Sequence, residues 1–61
     1  MSRPDIDVLS EARMVVSGKL RPTVRELDIL MSELIPLRRA YKQVETYFDE
    51  LLDYRKGASR G

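Results

Sequence analysis

Sixty-one residues allow one domain, at the lower size limit for a chain that folds without covalent or metal staples. The absence of cysteine excludes disulfides, and the absence of histidine removes the usual zinc ligand sets and the commonest general base. Eleven basic residues against ten acidic ones leave a net charge of +1, which argues against wholesale binding to nucleic acid or membrane.

With 43% hydrophobic and 34% charged residues the chain reads as folded but short of core. Self-association is the expected remedy. The N-terminal MSRPDID carries no apolar run of the kind a signal peptide needs, and the uncharged stretches are far too short for a membrane span. The default expectation is a cytoplasmic protein with no membrane association, organised as a single helical domain over residues 1–61.

The first predicted element is a helix over about residues 4–17. Ser2 is a candidate cap, Pro4 suits a first turn, and Asp5 and Asp7 complement the positive end of the helix dipole. Val8, Leu9, Ala12, Val15 and Val16 share one face at helical spacing. Gly18 is placed to end the helix in left-handed geometry, and a turn follows over 18–23.

Thr23 and Glu26 form a capping box for the second element. From there Leu27, Leu34, Tyr41 and Phe48 recur every seven residues, as do Leu30, Leu37, Val44 and Leu51. Four heptads with apolar a and d positions predict a long helix over about 24–55, with residues 57–61 as a frayed tail.

Pro36 falls inside this helix. An interior proline costs about 3 kcal/mol, whereas eight buried seam residues contribute roughly 1.5 to 3 kcal/mol each. The seam crosses Pro36 in phase, and no Gly, Asn, Asp or Ser marks a loop beside it. A kinked but continuous helix is therefore the expectation, with a break near Ile35 as the alternative.

A short first helix folded back on a helix about 48 Å long covers only its first half. The face holding Leu37, Tyr41, Val44, Tyr47, Phe48, Leu51, Leu52 and Tyr54 would then stay bare, a larger apolar patch than a soluble monomer carries. These eight residues are the expected oligomer interface. The fold expected is all-α: a helical hairpin with a heptad seam, joined as a homodimeric four-helix bundle or coiled coil, parallel or antiparallel.

Without histidine, cysteine or a glycine-rich loop, neither catalysis nor a cofactor, metal or small-molecule substrate is expected. Asp49, Glu50 and Asp53 read as a solvated outer face rather than a cation site. Arg38, Arg39 and Lys42 form an exposed basic strip with few carboxylates at four-residue spacing, a candidate partner-binding patch. The functional expectation is a small non-enzymatic interaction protein (an adaptor, inhibitor or assembly factor) acting on another protein. The alternative is a nucleic-acid-binding regulator using that strip or the Lys19–Arg25 turn region, whose Lys19, Arg21 and Arg25 resemble the basic turn of a helix-turn-helix.

Overall fold

In the computed structural model, residues 3–59 are described, and Pro4 opens the first helix. Its carbonyl accepts from the amides of Asp7 (3.1 Å) and Val8 (3.3 Å), and α1 runs Asp5–Val16 with Asp5 and Asp7 in the first turn. Pro4 itself is the N-cap residue and makes no side-chain cap bond; Ser2, expected as the cap, lies outside the described residues.

α1 ends as its glycine dictates. Gly18 adopts φ +82°, a left-handed conformation that side chains with a Cβ resist. There the Gly18 amide donates to the Val15 carbonyl (3.1 Å) and the Lys19 amide to Met14 (2.8 Å). These two bonds are a complete Schellman closure. Five residues later the expected capping box is present. Thr23 Oγ1 accepts from the Glu26 amide (3.2 Å), and Glu26 Oε1 accepts from the Thr23 amide (2.9 Å), starting α2 over Val24–Leu34.

At Pro36 the chain breaks, which corrects the expectation of a continuous kinked helix over 24–55. α2 stops at Leu34, Ile35–Leu37 form a single 3₁₀ turn, and α3 begins at Gln43 and continues to Ser59. Pro36 has no amide to continue the ladder. The chain instead tightens into shorter bonds, Arg38 to the Ile35 carbonyl (3.3 Å) and Ala40 to that of Leu37 (3.2 Å). No residue other than Gly18 takes positive φ among the described residues, so this turn needs no glycine or asparagine. The helical spacing survived the proline because the turn is short enough to return the chain in phase.

The tail expectation is also corrected. Gly57, Ala58 and Ser59 belong to α3, because an exposed glycine weakens a helix by only about 1 kcal/mol and does not stop it. Residues 60 and 61 lie outside the described residues.

The three helices pack as an up-down-up bundle. Asp28 on α2 holds Arg55 on α3 (2.7 Å), fixing these two helices antiparallel. Tyr41, two residues before α3, donates to Asp5 at the start of α1 (3.5 Å), and Tyr54 in the second half of α3 donates to the Pro22 carbonyl (3.3 Å), so α3 runs parallel to α1. The core is drawn from every element: Val8, Ala12 and Val15; Leu27, Leu30 and Leu34; Leu37; Val44 and Leu51. Val44 and Leu51 are fully buried. The seam expected to wait for a second chain is largely satisfied by the chain itself, and the hairpin is a three-helix bundle.

Candidate functional site

The residues expected at an oligomer interface separate by burial. Leu37, Val44 and Leu51 are interior residues of the single chain. Tyr41, Tyr47, Phe48 and Tyr54 are half-buried against the same core, and Leu52 stays 45% exposed.

The basic strip is moved from the side of a helix to the end of the bundle. Arg38, Arg39 and Lys42 lie in the five-residue turn between the 3₁₀ segment and α3, all exposed. Arg38 places its guanidinium 5.4 Å from the centroid of the Phe48 ring, an electrostatic attraction of cation to π-face. Arg39 and Lys42 have no carboxylate partner among the described residues. Lys19, Arg21 and Arg25 are exposed at the opposite end, beyond the Gly18 turn.

Two other arginines are committed to the fold, and neither was singled out from the sequence. Arg3 donates from Nε to Glu33 Oε2 (3.1 Å) and also bonds Glu11, tying the N-terminal segment to α1 and α2. The hydrogen bond to Glu33, and then that to Glu11, raise its pKa further. Arg55 is raised in the same direction by its bond to Asp28. Glu26 is held below the usual carboxylate range, first by the Thr23 amide and then by the Thr23 hydroxyl. Contacts between residues thirty apart carry no periodic signature, so spacing alone does not reveal Arg3 with Glu33.

α3 presents Glu45, Asp49, Glu50 and Asp53 to solvent. Among the described residues no group of three carboxylates is disposed to hold a metal ion. An open surface cleft of about 510 Å³ lies between the start of α1 and the end of α2, where Ile29, Pro36 and Leu37 meet Arg3 and Glu33. A second, of about 420 Å³, lies between α1 and α3, with Ile6, Leu9 and Tyr47 beside Arg13. Among the described residues no helix is long and apolar enough to cross a membrane.

Comparison with known proteins gives no match: no family model fits the chain, and no curated protein or solved structure is significantly similar to it.

Proposed function

We propose that this protein is a small non-enzymatic interaction module that self-associates and docks an acidic surface of a protein partner through the basic turn of Arg38, Arg39 and Lys42, in which Arg39 and Lys42 bind that partner and Arg38 borders the face used for self-association. The observation that carries the reading is the contrast among its arginines. Arg3 and Arg55 are engaged by carboxylates of the same chain, while Arg39 and Lys42, like Arg13, Lys19, Arg21 and Arg25, are exposed with no carboxylate partner among the described residues; Arg39 and Lys42 differ in lying together with Arg38 in one turn. Cations held in a turn are available for charge-assisted hydrogen bonds to a carboxylate-rich partner. The fold makes that turn only because the helix ends at Pro36.

The nucleic-acid alternative gains one feature and loses another. The break supplies the third helix that a helix-turn-helix arrangement requires. The helix standing where a recognition helix would stand exposes four carboxylates, Glu45, Asp49, Glu50 and Asp53, which a phosphate backbone repels.

The test compares an acidic Glu/Asp-rich peptide with generic duplex DNA, each labelled and titrated by fluorescence anisotropy at several salt concentrations. Arg39→Gln with Lys42→Gln should remove peptide binding and leave the thermal midpoint nearly unchanged, since exposed charges contribute little to folding. Tight binding to duplex DNA, with a log–log salt slope of about −3 for three phosphate contacts, would overturn the choice of partner class.

A further inference from the structure

The flank of the bundle where α2 meets α3 is unlike the others. Asp28 and Arg55 fix the antiparallel register of these helices. Stepping from that pair gives two further rungs, Met31 level with Leu52 and Ile35, the C-cap residue of α2, with Phe48; beyond the helix, Arg38 in the turn lies over Phe48 and lines one groove with Glu45. Residues 28 and 31 of α2 and Ile35, its C-cap residue, share one stripe at helical spacing, and so do 45, 48, 49 and 52 on α3. The middle of this surface is apolar. Ile35 is 57% and Leu52 45% exposed, with Phe48 and Met31 half-buried between them.

The charges at its end are opposite in sign and unpaired. Arg38, Glu45, Phe48, Asp49 and Leu52 line one open groove of about 270 Å³. Arg38 lies over Phe48 and forms no ion pair with either carboxylate. Glu45 and Asp49 have no cationic partner among the described residues. An apolar strip with a cation along one edge and carboxylates along the other is complementary to itself.

We infer that this flank receives a second copy of the chain, related by a two-fold axis running along the bundle. The inference rests on the self-association in the proposed function and names its face. In this arrangement α2 of each copy lies antiparallel to α3 of the other, in the register already present within the chain. Ile35 meets the partner's Phe48, Met31 meets the partner's Leu52, and Arg38 reaches the partner's Glu45 and Asp49. Every contact occurs twice, as an isologous interface requires. The α2–α3 hairpins of the two copies form a four-helix layer, with α1 of each on the outside. A heterologous partner would need a matching apolar strip with both charge signs, whereas a second copy supplies them without further assumption.

The face is small. A standard interface takes about 800 Å² from each partner, about one sixth of the 4796 Å² that this chain exposes. Sedimentation equilibrium from roughly 10 µM to 1 mM spans the range of a weak dimer. The wild-type chain should pass from monomer to dimer in that window. Ile35→Glu or Leu52→Glu, both at exposed positions, should keep the helical circular-dichroism spectrum and weaken association at least tenfold.

The decisive arm is a charge exchange. Arg38→Glu places like charges at both symmetric contacts, and so does Glu45→Arg with Asp49→Arg, so neither variant should self-associate. Mixed in equal amounts they restore opposite charges at both contacts, and a heterodimer should form. A wild-type chain that stays monomeric to 1 mM overturns self-association itself. A wild-type dimer unaffected by Ile35→Glu and Leu52→Glu, or two charge variants that fail to pair when mixed, leaves self-association standing and overturns this face.

Discussion

The guanidinium of Arg38 lies 5.4 Å over the ring of Phe48, joining the first residue of the α2–α3 turn to the second turn of α3. The contact orders one residue of the basic turn and half covers an aromatic that α2 alone does not bury. Cation–π contacts at exposed sites contribute about 0.5–1 kcal/mol. Arg38→Gln should lower stability by that amount, and Phe48→Leu should make the second loss smaller. A double-mutant cycle by chemical denaturation checks the coupling; strictly additive effects would show that the two side chains act independently.

The two described glycines should respond to alanine with opposite sign. At Gly18 open space surrounds the added methyl, but φ is +82°, so Gly18→Ala should cost about 1 kcal/mol through backbone strain alone. Gly57 is exposed within α3 and also faces open space, so Gly57→Ala should stabilise by roughly 0.5–1 kcal/mol. Thermal midpoints of the two variants, measured together, decide the point. A matching sign would contradict the assigned helix ends.

Acid should weaken the start of α2. The Glu26 carboxylate accepts from the Thr23 amide, and its pKa is lowered from the ordinary 4.5. A group depressed on folding contributes stability that is present above its unfolded pKa and is lost as pH falls through its folded value. The wild-type thermal midpoint should therefore drop below pH 4.5 more steeply than that of Glu26→Gln, which keeps an acceptor but does not titrate there. Parallel curves for the two proteins would show that the capping box is not formed in solution.

Helix starts and stops were legible in the sequence at two places where a local rule sets them, while the same glycine rule failed at Gly57, which α3 includes. Thr23 with Glu26, and Gly18, act through neighbours within a few residues, and the structure has both features where spacing places them. The apolar seam was legible as burial but not as topology. Leu30, Leu37, Val44 and Leu51 are interior residues whether the helix continues or folds back, because a bundle uses the same spacing on each side of a turn. Seam burial argues for a continuous helix only if a break forfeits it, and the break keeps most of it: six of the eight seam residues are buried, with Tyr41 and Phe48 half-buried. A break near Ile35 is only the alternative in the sequence because Arg38, Arg39, Ala40 and Lys42 carry no turn signal, their backbone needing no positive φ. The α2–α3 flank was obscured for the same reason, since its rungs exist only after the chain reverses.

Pro36→Ala tests what holds the hinge. Removing the interior proline removes about 3 kcal/mol of opposition to a straight helix, which moves that equilibrium by roughly two decades. A straightened helix carries α3 away from its own α1 and bares Val44 and Leu51, which a second copy would cover by exchange of α3. Size-exclusion chromatography of the variant at high concentration should show a slowly exchanging dimer that Ile35→Glu does not dissolve. An alanine variant with only the wild-type species would place the hinge in packing rather than in the proline.

The measurement closest to the central claim, that the chain reverses at Pro36 and presents Arg38–Lys42 as a turn, is a distance across the hinge. The chain has no cysteine, so Arg25→Cys with Lys56→Cys accepts two spin labels at defined positions. Pulsed dipolar spectroscopy on that variant, diluted with unlabelled protein to suppress contacts between copies, reads the separation directly. A continuous helix would hold these residues about 46 Å apart at 1.5 Å per residue. The bundle places them on adjacent antiparallel helices near one end, at roughly 10–25 Å including the labels. A single short-distance population is the result predicted; a dominant population near 46 Å would contradict the three-helix fold and the basic turn that depends on it.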